Sequence, residues 1–448
     1  MRRVCTFPEY KTSNIPVKFK PASKFEAFIL NRSTIFQKSF KGDAHSLSYV
    51  VLAVKAGRIY TPNSLIRNGI IVLENGKISY VGDDFDKAKD ATILKFDDGI
   101  CTPGFIDVHV HGGGGYDFAD GSLEAFSEVC RYHVRGGTTS LLATILSSPI
   151  DYTLKILEAF KRSFNASKDG AEILGLHLEG PFLNPDMHGA HPVELLQTPS
   201  RELVEAFLNY TDIIKRITIA PEVSGGVEAV KAFSSKNVIV SIGHSNAPYE
   251  VVDKAYNAGL RHTTHLYNAL GVSFKRGAYR VPGALESILA LGGIMAEIIA
   301  DGRHVHPILI HLAVKAKGFR RLCLVTDAMR AAGMSDGVYK LGSNAYGSNA
   351  IVKDGVSYTV DMRSFASTTI SMVDTVRFMK SIGYPTRIAL LMASTIPAKL
   401  LDISSRKGFL APGFDGDLVV LDREFKVLLT TVRGRVVYAE NRDFLGLS

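Results

Sequence analysis

The sequence predicts an α/β fold: a (β/α)8 barrel with a small β-sandwich domain built from N- and C-terminal strands. Three observations carry this. Eight short runs rich in β-branched and apolar residues, at 104–109, 138–142, 173–178, 217–220, 238–242, 262–266, 294–299 and 322–326, recur with room for a helix between them. Helix-period stretches such as 123–135, stopped by Gly136-Gly137, and 249–258, stopped by Gly259, fill those gaps. Strands that alternate with helices pair in parallel, and eight such units close a barrel. The third observation is chemical. His109, His111, Glu179, His244, His265 and Asp327 all stand where one of these runs stops, and strand ends are where a barrel of this kind places its reactive groups.

The elements follow in order. Residues 1–47 carry Arg2, Arg3, Lys11, Lys18, Lys20, Lys24, Arg32, Lys38 and Lys41 against Glu9, Glu26 and Asp43, with no strand or helix period. They are expected to be a basic, poorly ordered extension. The apolar stretch at 28–30 is too short for a secretory signal, and Glu9 argues against an organelle transit peptide. Strands are expected at 50–54, 69–73 and 77–81, with Glu74-Asn75-Gly76-Lys77 as a tight hairpin. The stretch 417–438 returns to strands. Either set alone would make a marginal sheet, so 48–100 and 402–448 are expected to share one sandwich, with the barrel at 101–401. After Asp327 come a hairpin-like insert at 339–360 and helices at 371–382 and 385–393.

Composition narrows the class. A chain of 448 residues, 46% hydrophobic and 21% charged, can bury one large core and a smaller satellite. A net charge of +8, from 52 basic and 44 acidic side chains, mildly favours an anionic ligand. Cys5, Cys101, Cys130 and Cys323 are far apart with no C-x-x-C pair, which fits a reduced compartment. No apolar run approaches the roughly 18 residues of a membrane span. A cytoplasmic protein is expected, with neither nucleic acid nor membrane as partner.

In His109-Val110-His111 the two imidazoles alternate with an apolar residue, so in an extended strand both rings point to one side. Taken alone, such a pair can equally be packed or solvated histidine. Glu179 follows an apolar strand and precedes Gly180-Pro181, where a carboxylate is either a solvated loop residue or an anionic ligand. His244 and His265 end the fifth and sixth strands. Four histidines and a glutamate at strand ends of one barrel make a ligand set for a zinc-like divalent ion, which takes imidazole nitrogen and carboxylate oxygen. Asp327 ends the eighth strand, where a carboxylate can move the proton of a hydrolytic water or else cap the next helix. His191 and His304 lie in loops after the third and seventh strands, where each could hydrogen-bond a substrate or simply face solvent. Gly112 to Gly115 lack a following Gly-Lys-Ser/Thr, so they are not a P-loop and are expected to let backbone pass close to the metal site. Lys275, Arg276 and Arg280 form a basic loop that suits a phosphate or solvent equally well.

Pro103-Gly104-Phe105-Ile106-Asp107-Val108-His109-Val110-His111-Gly112, with the later Glu, His, His and Asp, resembles the amidohydrolase superfamily. His177-Leu178-Glu179-Gly180-Pro181-Phe182, Gly243-His244-Ser245, His265-Leu266-Tyr267-Asn268-Ala269, Ala300-Asp301-Gly302-Arg303-His304-Val305, Val325-Thr326-Asp327-Ala328-Met329 and Ser394-Thr395-Ile396-Pro397-Ala398-Lys399 resemble its N-acetylglucosamine-6-phosphate deacetylase branch. The likeness spans about 50–440. It implies a homodimer that hydrolyses the acetamido group of a phosphorylated amino sugar with one or two divalent ions, zinc foremost, per chain. It implies ligands at Glu179, His244 and His265 and an acid/base at Asp327. It also implies substrate contacts at His191, Asn268, the backbone of Ala269 and His304, with Arg280 lent across the dimer. Val281 and the segment Phe365-Ala366-Ser367-Thr368 depart from the resembled pattern, which has an acidic residue and Leu-Ala-Gly-Ser there.

The expected reaction converts N-acetylglucosamine 6-phosphate to glucosamine 6-phosphate and acetate. The rivals are the galactosamine epimer and a non-catalytic scaffold of the same fold, although no metal ligand is missing here.

Overall fold

The computed structural model describes residues 51–61, 63–163 and 169–441, so the extension expected at 1–47 lies outside the described residues. The chain opens with β1 (Leu52–Tyr60), β2 (Leu65–Glu74), β3 (Lys77–Gly82) and β4 (Thr92–Pro103). Asn75 and Gly76, both at positive φ, turn β2 into β3 at the predicted hairpin.

Eight parallel strands follow: β5 (Phe105–Val110), β6 (Thr138–Leu146), β7 (Glu172–Glu179), β8 (Ile214–Ile219), β9 (Ile239–Ile242), β10 (His262–Thr263), β13 (Met295–Ile299) and β14 (Leu322–Val325). All eight fall on the predicted runs. Between β10 and β13 a short hairpin protrudes, β11 (Phe274–Arg276) and β12 (Tyr279–Val281). The barrel closes between its first and last strands, where Val110 bridges Ala328 in parallel. There the Asp327 N–H donates to the His109 carbonyl at 2.9 Å and the His111 N–H to the Ala328 carbonyl at 2.9 Å. The closing bonds therefore involve the residues that flank the reactive side chains. Gly112 to Gly115 serve this closure. A Cβ on Gly112 would meet the Tyr116 carbonyl at 2.3 Å and the Arg330 nitrogen at 2.8 Å, so Gly112 admits the segment that follows Asp327, and the N–H groups of Gly114 and Gly115 bond that segment's carbonyls at 2.9 Å.

The strands are apolar outward, where helices such as Leu123–His133, Gly226–Ser234 and Pro307–Lys317 cover them in one continuous core. Inside the barrel, at the end opposite the mouth, Ile106, Val108, Leu142, Cys323 and Val325 pack against Ile396 and Ala398 of the helix Thr395–Leu400. This apolar plug confines polar chemistry to the middle and the mouth.

After β14 the insert forms a three-stranded antiparallel sheet, β15 (Gly337–Leu341), β16 (Ser348–Lys353) and β17 (Val356–Thr359), then the helices Met372–Ser381 and Thr386–Ala393. The chain ends with β18 (Leu418–Leu421), β19 (Val427–Val432) and β20 (Arg435–Ala439), and β18 pairs with β4. Strands from before and after the barrel thus meet in one seven-stranded mixed sheet. Its two faces bury separate apolar sets, Ile71 and Leu73 on one and Ile70 and Val72 on the other. No helix among the described residues is long and apolar enough to cross a membrane.

Candidate metal centre and active site

The C-terminal ends of the barrel strands surround a cavity of about 830 Å³. His109 and His111 come from the end of β5, Glu179 from the end of β7, and His244, His265 and Asp327 stand two residues beyond β9, β10 and β14. These last three have φ of 47°, 25° and 49°. The left-handed turn swings each side chain off its strand and over the mouth. Non-glycine residues in that region are strained, and such strain gathers at functional sites.

Glu179 is the hub. Its Oε1 lies 3.2 Å from His244 Nε2 and 3.1 Å from His265 Nε2. Its Oε2 lies 3.4 Å from His109 Nε2 and 3.3 Å from His111 Nε2. Asp327 Oδ1 sits 3.1 Å from His111 Nε2 and 3.5 Å from His109 Nε2. Two ligand groups result, Glu179 with His244 and His265, and His109 with His111 and Asp327; within each, the ligand atoms lie within 4.8 Å of one another and every residue is buried.

Tautomers support ligation. His244 Nδ1–H donates to the Met187 carbonyl at 2.9 Å and His109 Nδ1–H to Glu297 Oε2 at 3.1 Å. With Nδ1 engaged as donor, each Nε2 keeps a lone pair aimed at the centre. The His244 and His265 Nε2 atoms are nevertheless only 3.1 Å apart, and those of His109 and His111 3.3 Å. Ring nitrogens converging at such distances, with the buried Nδ1 of His111 and of His265 unpartnered, suit a cation between them. The pKa values say the same. Burial opposes charge on His109, yet the carboxylates of Glu179, Asp327 and Glu297 raise its pKa well above the ordinary imidazole value. His111 is pushed up to about 9, against burial, by its hydrogen bonds to Asp327 and Glu179. Burial acts against ionisation of Glu179 and Asp327 as well, but the facing histidines hold both below the usual carboxylate range. The site demands positive charge, and a divalent ion held by neutral imidazoles and two carboxylates would supply it.

A third acidic group, Glu172, Asp415 and Asp417, is different. The buried Lys407 ammonium sits 2.8 Å from Glu172 and 3.1 Å from Asp415 and also bonds Asp417. That cation is a lysine, and the cluster ties the seven-stranded sheet to the foot of β7.

His191, Asn268, Ala269 and His304 all line the cavity. His191 donates or accepts through Nδ1 at Ser147 Oγ, 2.9 Å away, and burial drives its pKa down to about 4, so it is neutral at pH 7. His304 Nδ1 bonds Asp301 Oδ2 at 2.7 Å, and its ring packs on Phe365 with centroids 4.7 Å apart. Arg280 is the exception. It is exposed on the β11–β12 hairpin and does not line this cavity.

Sequence reasoning missed the support beneath the ligands. Glu297, wholly buried on β13, accepts from His109 Nδ1 and, at 2.9 Å, from the backbone N–H of His265. Its other oxygen pairs with Arg216 of β8, whose guanidinium also donates to the Val108 carbonyl at 2.9 Å and to Ser241 Oγ and Thr264 Oγ1, both at 2.8 Å. One carboxylate therefore steers a member of each ligand group. The signal was a fully buried charge within a barrel strand, Glu297 in Met-Ala-Glu-Ile-Ile and Arg216 in Ile-Lys-Arg-Ile-Thr-Ile.

Residues 100–437 match the amidohydrolase family. A Bacillus subtilis N-acetylglucosamine-6-phosphate deacetylase is 35% identical over 397 residues, covering 86% of this chain and 97% of its own. An Escherichia coli N-acetylgalactosamine-6-phosphate deacetylase is 32% identical over 348 residues, covering 77% and 89%. The crystal structure of N-acetylglucosamine-6-phosphate deacetylase from Pasteurella multocida is similar with a TM-score of 0.80 at 30% identity, covering 86% of this chain and 99% of that one.

Proposed function

This chain belongs to the amidohydrolase family, and we propose that it is a metal-dependent deacetylase that hydrolyses N-acetylglucosamine 6-phosphate to glucosamine 6-phosphate and acetate. The observation that carries the reading is Glu179 with one oxygen on each histidine pair and Asp327 beside them, with Glu179, His111, His244, His265 and Asp327 lining one cavity.

Glu179, His244 and His265 would hold the principal ion, and His109 and His111 a second one. The nitrogen and oxygen donors suit zinc. A bound ion of this kind supplies Lewis acidity, polarising the amide carbonyl and making water acidic enough to attack at neutral pH. Asp327, ionised because the histidines lower its pKa, takes the proton of the attacking water as that oxygen bonds to the acetyl carbon. It then gives the proton to the sugar nitrogen as the carbon–nitrogen bond breaks, so the amine leaves neutral beside acetic acid, whose remaining proton passes to the amine at neutral pH to leave acetate. His191, Asn268, the Ala269 backbone and His304 hold the sugar.

Six histidines and the carboxylates of Glu179, Asp186, Asp327 and Asp361 line the cavity, but among its described lining residues there is neither Lys nor Arg. A 6-phosphate needs a permanent cation from elsewhere. The exposed Arg280 on its protruding hairpin fits that need if the protein is a homodimer in which each chain lends Arg280 to its neighbour's cavity. The phosphate then anchors the substrate far from the scissile bond.

The test is acetate release from the glucosamine and galactosamine epimers, each with and without the 6-phosphate. The glucosamine 6-phosphate form should be preferred, and loss of the phosphate should lower kcat/KM at least about a hundredfold. Absence of acetate release by metal-loaded protein from any of these sugars would refute the reading.

A further inference from the structure

Six of the non-glycine residues at positive φ line the cavity: His244, His265, Tyr267, Ala269, Asp327 and Ser367. The first five belong to segments already placed in the site. Ser367, at φ 60°, does not. Glycine adopts this conformation freely, whereas serine is strained there, so the side chain must return something for the strain. What it adds is a hydroxyl, and Ser367 Oγ donates to Asp327 Oδ1 at 3.3 Å.

The hydroxyl is firmly placed. Next to it, the Thr368 N–H donates to the Asp327 carbonyl at 2.8 Å, the Met329 N–H to the Thr368 carbonyl at 2.9 Å, and Thr368 Oγ1 to the Thr326 carbonyl at 2.7 Å. The segment is thus stapled along the chain that carries Asp327. Two residues before Ser367, the Phe365 ring rests on His304 and on Tyr358 of β17, with centroids 4.7 Å and 5.4 Å apart. Ser367 Oγ and His111 Nε2 converge on the same carboxylate oxygen.

We infer that Ser367 is a positioning residue for Asp327: it fixes Oδ1, so that the carboxylate presents Oδ2 to the proton in transit. The inference rests on the acid/base role given to Asp327 above.

Acetate release is measured for the metal-loaded parent, Ser367→Ala, Ser367→Gly, Asp327→Asn and the Ser367→Ala/Asp327→Asn double variant, with thermal unfolding of each protein in its metal-free form. Both Ser367 variants should lose about tenfold in kcat, with KM within about twofold. The melting temperature should hold within about 1 °C in Ser367→Ala and rise in Ser367→Gly, which relieves the strain. The double variant should lose nothing beyond Asp327→Asn, since the hydroxyl acts through that carboxylate. Parental kcat in Ser367→Gly would overturn the inference, because the serine would then only shape the loop; so would a further loss in the double variant. If Asp327→Asn turns over normally, the role of Asp327 itself fails. Normal Ser367 variants beside an inactive Asp327→Asn defeat the positioning role alone.

Discussion

Replacing Glu297 with Gln tests the support beneath the metal ligands. The substitution keeps the side-chain volume and removes one charge and one acceptor. In the parent, one carboxylate oxygen takes Arg216 and the other takes His109 Nδ1–H and the His265 N–H. An amide cannot do both. If its oxygen faces His109, its NH2 group meets the Arg216 guanidinium; if it faces Arg216, the NH2 group meets His109 and forces the proton onto Nε2, where the ion needs a lone pair. Both partners are fully buried, and breaking such a pair by neutralising one member costs about 3–5 kcal/mol. With about 2.1 cal/mol/K of unfolding entropy per residue over roughly 385 described residues, the melting temperature of metal-free protein should fall about 4–6 °C. Metal affinity should fall about 10- to 100-fold, the usual cost of losing a ligand's outer partner. Differential scanning calorimetry and a calorimetric zinc titration read the two effects. A variant that melts within about 1 °C of the parent and binds zinc within about threefold of it would refute the reasoning.

Three further outcomes are expected. Arg280→Ala should raise KM for the phosphorylated sugar far more than for the free sugar, and mixing it with Asp327→Asn subunits should restore one working site per heterodimer; subunit exchange without recovery would place the arginine's action elsewhere. Double replacement of His109 and His111 should lower bound metal from near two ions to near one and leave weak activity, as read by elemental analysis, whereas a parent that saturates at one ion would refute the second site. Asp415 is held down to about 2, against burial, by Lys77, Lys407 and Arg406, from an ordinary 3.8. A depressed carboxylate stabilises the fold fully above its unfolded pKa and loses that contribution as pH falls through its folded one. The parent should therefore melt above Asp415→Asn near neutral pH, and the gap should close between about pH 4 and 2; a gap independent of pH would contradict the ion-pair account.

The barrel and the candidate metal-ligating residues are legible in the sequence, for reasons local to each segment. A strand covered by helices outside and packed or plugged inside is largely apolar, so most of the eight strands read as apolar-rich runs. Where a run ends the chain meets the mouth, and Glu179, His244 and Asp327, just past Leu178, Ile242 and Val325, break the pattern visibly. The spacing of His109 and His111 placed both rings on one side for the same local reason. Tertiary structure alone decided what meets what. Arg216 and Glu297, 81 residues apart, pair only once closure sets the relative heights of β8 and β13, and no local period encodes that height. The fourth strand was expected to begin at 217, one residue past Arg216, so half of the support fell outside it. The same holds for Gly112, Gly114 and Gly115, whose backbone N–H groups bond carbonyls beyond Asp327, and for Arg280, which closure leaves outside its own chain's cavity. Ser367 is the sharpest case. Its identity is plain in the sequence, but its left-handed backbone and its hydroxyl on Asp327 exist only because the insert folds back along the last strand of the closed barrel.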